Sequence, residues 1–214
     1  MTRSLVFPLL LVATLVSACS TAYYGAMEKV GYHKRDILVS RVEKAKDSQQ
    51  EAQQQFKSAL ERFESVVNLA ETDLLKAYKK LNDEYEDSEA AAAEVSERID
   101  EVEDVATALF REWRKEIGLY QNPTLKASSE SKLRDTQARY KQMMASMRKA
   151  ESSMKPVLLT LRDNVLFLKH NLNAQAVGAL RSEFTALKAD ITSLIAQMNR
   201  SIESSNRFIA EIKE

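Results

Sequence analysis

From Leu133 the chain keeps a regular alternation of three- and four-residue steps through Thr136, Tyr140, Met143, Met147, Ala150, Met154, Val157, Leu161, Asn164 and Leu168. Nine of these eleven positions are apolar, where the overall apolar fraction of 44% would place about five there by chance. A mean spacing of 3.5 residues puts them on one stripe of a helix, the pattern by which long helices bury themselves against other long helices. A stripe of this length needs partners of similar length, and the rest of the chain supplies them.

Three further seams follow the same rule. The first runs through Val42, Ala45, Gln49, Ala52, Phe56, Ala59, Phe63 and Val66, within a helix expected from about Met27 to Val67. Asn68 to Asp73 interrupts it, and Thr72 or Asp73 can cap the next helix. The second seam holds Leu74, Tyr78, Leu81, Tyr85, Ser88, Ala92, Val95, Ile99, Val102, Ala106, Leu109 and Trp113, with Gly118 in the closing position and Asn122-Pro123 marking a turn. The third helix is expected to start near Ser128 or Ser129, with a kink at Pro156. The fourth carries Val177, Leu180, Phe184, Leu187, Ile191, Leu194, Met198, Ser201, Ser205, Phe208 and Ile212. Asn171-Leu172-Asn173 separates the last two, because asparagine tolerates the left-handed conformation and caps helices; one unbroken helix through this point is the competing arrangement.

Four segments of similar length joined by short connections predict an all-α fold, an elongated antiparallel four-helix bundle with coiled-coil-like packing. Only four glycines and three prolines are available for turns, which agrees with that class. The 31 basic and 31 acidic side chains cancel, so no global field favours nucleic acid. Their distribution is uneven: Asp83 to Asp104 contains eleven acids and only Arg98 as a base, whereas Lys126 to Lys149 carries seven bases against two acids. Folding the third helix back on the second brings parts of these runs together, which discourages wrong registers more than it adds stability.

The beginning of the chain reads differently. Arg3 precedes an apolar run from Leu5 to Val16, too short to span a bilayer but suited to a signal-peptide core. Val16-Ser17-Ala18-Cys19 follows and resembles a bacterial lipobox, in which the cysteine is acylated and becomes the mature N-terminus. Residues 1–18 are therefore expected to be a cleaved signal peptide, 19–26 a lipidated N-terminus with a short tether, and 27–214 the helical domain. Two or three acyl chains hold a protein at a membrane stably. Ser20, rather than an aspartate, after the cysteine favours the periplasmic face of the outer membrane. With so short a tether, Tyr23 and Tyr24 can rest at headgroup level, and Lys29, Lys34 and Arg35 can face anionic headgroups. The tyrosines can equally pack on the end of the bundle.

Catalytic equipment is scarce. Only His33 and His170 exist, neither in a Glu-x-x-His pair, and there is no Gly-rich phosphate loop or Gly-x-Ser-x-Gly elbow. The single cysteine excludes an internal disulfide framework. Met143, Met144 and Met147 can offer thioethers to Cu(I), but two of them lie on the seam, where core packing is the better reading. The expectation is a non-enzymatic protein with no metal and no cofactor, acting as a structural or adaptor element in the cell envelope. The place for a specific contact is Lys169, His170, Asn171 and Asn173, which an up-down-up-down order puts at the end of the rod away from the membrane. There they can meet an envelope protein or a cell-wall partner. Helix capping is the plainer explanation of the same residues. A ligand held between helices near the methionines or His170 is the alternative function, and the oligomeric state is left open.

The run Tyr24 to Arg35, the stretch Leu81-Asn82-Asp83-Glu84-Tyr85, the segment Ser96-Glu97-Arg98-Ile99 and above all Phe167 to Asn173 resemble an uncharacterised proteobacterial family, catalogued as domain of unknown function 2959. The resemblance covers nearly all of the chain after Cys19. It implies an envelope protein and brings no activity with it.

Overall fold

A computed structural model describes residues 33–68 and 74–213 of the chain. The expected signal peptide, Cys19, Tyr23, Tyr24, Lys29, the helix start at Met27 and the capping residues Thr72 and Asp73 lie outside the described residues. Within them stand four helices: α1 (Lys34–Val67), α2 (Leu74–Ile117), α3 (Pro123–His170) and α4 (Ala174–Lys213). Their 34 to 48 residues correspond to rods of about 50–70 Å. Each packs on its neighbours in sequence, and α1 packs on α4, so the four close into a ring around one core. No helix among the described residues is long and apolar enough to cross a membrane.

The seams make that core. Every seam position of α1 from Val42 to Val66 is buried, and so are nine of the eleven in α3, with Thr136 and Tyr140 half-buried. Met143, Met147, Leu161 and Leu168 of α3 meet Phe56 and Phe63 of α1, Ile99 of α2, and Leu180 and Leu187 of α4 in a single cluster. Aromatic rings gather towards the two ends. Phe63 of α1 stacks on Phe184 of α4 at 6.1 Å, and at the other end Tyr140 meets Phe110 at 5.3 Å and Phe208 at 6.3 Å. Between them the seams turn small and polar, with Ala45, Ser48, Gln49 and Ala52 on α1 and Ser201 and Ser205 on α4, all buried. Small residues let helix backbones approach closely.

Polar cross-links pin each of the four interfaces. Glu84 of α2 accepts hydrogen bonds from Gln55 (2.9 Å) and Ser58 (3.0 Å) of α1. Between α1 and α4, Gln53 donates to Asn199 at 2.8 Å and to the Ile195 carbonyl at 3.1 Å. Arg139 of α3 pairs with Glu211 of α4 at 3.4 Å. The oppositely charged runs of α2 and α3 meet at Arg148, whose guanidinium lies 2.6 Å from Asp100, 2.7 Å from Glu103 and 3.1 Å from Glu151 of its own helix. Partial burial works against the Arg148 charge, but the hydrogen bonds it donates to Glu103, Asp100 and Glu151 outweigh that and raise the pKa.

Three details differ from the sequence expectations. α3 begins at Pro123, not at Ser128 or Ser129: Asn122 is its N-cap, accepting from the Thr124 (2.9 Å) and Leu125 (3.3 Å) amides. Proline suits the first helical position because its φ is already helical and its missing N–H would have had no partner there. Lys34 does not face outward. It is buried and pairs with Glu112 of α2 at 2.9 Å, while Arg35 is exposed. A lysine stem can lie along apolar surface while its ammonium reaches an acid. Asn171 ends α3 with φ −133°, so the turn between α3 and α4 does not use the left-handed conformation there. Elsewhere, Gly118 follows α2 directly, and the helix end tightens through bonds from the Gly118, Leu119 and Tyr120 amides to carbonyls three residues back. α3 continues unbroken through Pro156, which lies on the exposed face beside the equally exposed Ser152 whose carbonyl loses its partner.

Met147 is fully buried, so Met147→Ala should cost about 2–5 kcal/mol of stability in urea unfolding. Burial, with help from the Glu103 and Asp104 charges and against that of Arg148, pushes the Tyr140 phenol from 10.0 up to about 12. The folded state therefore holds this phenol neutral over a range where the unfolded chain ionises. Its contribution is complete below pH 10 and is lost as pH rises through 12. Tyr140→Phe should remove on the order of 1–2 kcal/mol of that alkaline loss, seen as a flatter dependence of the urea midpoint on pH.

Candidate functional site

The residues singled out from the sequence lie at the α3–α4 turn. They share that end with the last turn of α1 and the first turn of α2 and lie opposite the end at which the chain enters α1. Lys169 and His170 occupy the last turn of α3 and are exposed. A positive charge there complements the negative end of the helix dipole. The Asn171 side-chain amide donates to the Phe167 carbonyl at 2.9 Å. The Asn173 side-chain oxygen accepts from the Ala176 amide at 3.0 Å, capping the start of α4. Both asparagines thus shape the turn. Lys169 and His170 are the two exposed members of the four that the caps do not use.

The apolar neighbours of this motif are the residues that sequence reasoning passed over. Leu166, Phe167 and Leu172 are 46%, 41% and 42% exposed, and Leu75 at the start of α2 shares the same end. The signal was present: Val165-Leu166-Phe167-Leu168 is one apolar run, and the 3.5-residue rule selects Leu168 for the core and leaves Leu166 and Phe167 off the stripe. Phe167 forms one wall of an open groove of about 400 Å³ between α3 and α4, with Asp163, Asn164, Leu180 and Glu183. Asn164 is buried in this wall and donates to the Thr160 carbonyl at 2.7 Å. Behind the turn, Arg181 of α4 donates to the Val67 carbonyl at 2.7 Å, satisfying an acceptor at the end of α1. That bond ties α4 to the α1 terminus and stiffens this end of the rod.

The other surface features are placed differently. Met143, Met144 and Met147 are all buried in the shared core. Among the described residues no group of three or more histidine, cysteine, aspartate or glutamate side chains is placed to hold a metal ion. A second groove, of about 500 Å³, opens at the opposite end beside the C-terminus of α4. Its walls include Arg35, Trp113, Lys132, Arg139 and Glu211, and there Trp113 donates from its indole nitrogen to Ser129 at 2.9 Å.

A family model described as Protein of unknown function (DUF2959) matches residues 23–212, a span that takes in all four helices but the last residue of α4. The chain belongs to this family. No curated protein and no solved structure matches the chain.

Asn173→Ala should cost about 1 kcal/mol in urea unfolding through loss of the cap, whereas Lys169→Ala and His170→Ala should each stay within about 0.5 kcal/mol. Equal losses at all of these positions would show the two exposed side chains to be structural as well.

Proposed function

We propose that this protein is a lipid-anchored periplasmic lipoprotein, held through acylated Cys19 at the outer membrane, that serves as a non-enzymatic structural or adaptor element of the cell envelope. The observation that carries the reading is the apolar and basic head at the α3–α4 turn, placed at the far end of a solid helical rod from the point where the chain enters α1. The fifteen residues from Cys19 to His33 reach at most about 50 Å, so the anchor is tied to the entry end and only a fully extended tether would approach the other. The rod then holds Phe167, Leu172, Lys169 and His170 about 50–70 Å away from that entry, where a protein or cell-wall partner can be met.

The core supports this reading over a ligand carrier. The methionines that a soft metal or small molecule would need are packed among Phe, Leu and Val side chains, and the grooves that exist are open clefts on the outside of the bundle. A non-enzymatic role also fits a head whose asparagines cap helices and whose remaining groups form no nucleophile and base pair.

A photo-crosslinking residue at position 167, introduced in living cells, tests the proposal. An envelope component should be captured by the acylated protein. Capture should fall several-fold when Leu172→Asp and Lys169→Glu are added, and should be lost when Cys19→Ser releases the chain from the membrane. Undiminished capture by both variants would contradict the proposal.

A further inference from the structure

The end of the rod where the chain enters α1 carries a second exposed apolar patch. The α2–α3 hairpin overhangs the start of α1: Lys34 pairs with Glu112, and α2 continues from there for five more residues, about 8 Å, before the turn. At the tip Leu119 is 71% exposed, Leu125 54% and Tyr120 44%. These exposures are among the largest for apolar side chains in the described residues. Around them the surface is basic. Residues 111–134 contain six lysines and arginines against three glutamates, and all six bases are exposed. One of the glutamates, Glu112, is already engaged by Lys34.

We propose that this tip is a membrane-contact surface, with Leu119, Tyr120 and Leu125 entering the headgroup region of an anionic bilayer and Arg114, Lys115 and Lys126 resting against lipid phosphates. Three observations choose a lipid surface as the occupant. The apolar residues sit at a loop tip and not along a groove, a shape that a flat, deformable surface accommodates. The surrounding charge is complementary to anionic headgroups, and each nearby base adds to that attraction. The chain enters α1 at the same end, so an anchor upstream brings the bilayer to this tip more readily than to the α3–α4 head. A leucine and tyrosine mixture also suits the interface, where a tyrosine ring lies among apolar groups with its hydroxyl in water. The contact would give the rod a defined direction, which a flexible acyl anchor by itself cannot impose.

This inference rests on the lipid-anchor reading for the side from which the bilayer approaches, and its test is made independent of cellular acylation. The chain from Cys19 onward is coupled through Cys19, its sole cysteine, to maleimide-bearing lipid in vesicles of phosphatidylethanolamine and phosphatidylglycerol with brominated acyl chains. The sole tryptophan is moved, by Trp113→Phe combined with Tyr120→Trp at the tip or with Phe167→Trp at the opposite end. Circular dichroism confirms the fold of each variant. The expected result is several-fold stronger quenching at position 120 than at 167, reduced when Leu119→Ser and Leu125→Ser are added or when phosphatidylcholine replaces phosphatidylglycerol. Equal quenching at the two positions, stronger quenching at 167, or none at either would overturn the proposal. Failure of the anchor reading would appear separately, as an unmodified Cys19 in protein isolated from cells.

Discussion

The closing contact between α1 and α4 is the constraint on which the rest depends. Three helices in a row leave two seams half covered, and the seam of α1 is finished only when α4 lies along it. The pair that fixes this contact, Gln53 and Asn199, is separated by 146 residues, so the first and last helices of the chain hold each other. With the ring closed, Val42, Ala52, Met147, Leu187 and Met198 lose their contact with water together. Most of the stability of such helices comes from this shared burial and not from helix propensity.

Inside the ring the core is graded. Ring-to-ring contacts lie towards the two ends, and between them buried alanine, serine and glutamine stand among larger apolar side chains such as Phe56 and Met147. The middle is also where polar atoms go without partners: neither side-chain end of Gln49 nor the hydroxyl of Ser201 finds a hydrogen bond within the protein. Each such group costs about 1–3 kcal/mol relative to a satisfied one. A slip of α4 against α1 would break the Gln53 bonds to Asn199 and the Ile195 carbonyl, so these bonds oppose shifted registers. From outside, ion pairs act on three of the registers, Arg148 between α2 and α3, Arg139 between α3 and α4 and Glu43 between α1 and α4, each weakly because all are partly solvated.

Much of this could be read from the chain. Spacing alone identified the buried face of all four helices, down to polar members such as Gln49, Ser88 and Ser205, because burial follows the 3.5-residue period and not the chemistry of any one side chain. The meeting of the acidic and basic runs was legible in the same way. What escaped reading depended on facts outside a short window. Asn122-Pro123 reads as a turn in isolation, and only the two amides capped by Asn122 show that the turn is the first turn of α3. Lys34 reads as solvated until Glu112, 78 residues later, is placed beside it. At the α3–α4 turn the asparagines were visible as capping residues and as partner residues alike. The geometry assigns them to the caps and brings forward Phe167 and Leu172, whose place off the seam was their one sign of exposure in the sequence.

The two ends of the rod therefore differ in kind. One receives the chain and carries a basic, apolar tip; the other is braced by Arg181 and presents an apolar and basic head. A rigid body with distinct ends is useful when one of them is fixed, and in the proposed function the fixing rests on Cys19. The most direct measurement is the mass of the N-terminal peptide from protein isolated from its own membranes. The account predicts a peptide that begins at Cys19 and carries the added mass of covalently bound acyl chains. A peptide that retains residues upstream of Cys19, or that shows an unmodified thiol, would contradict it.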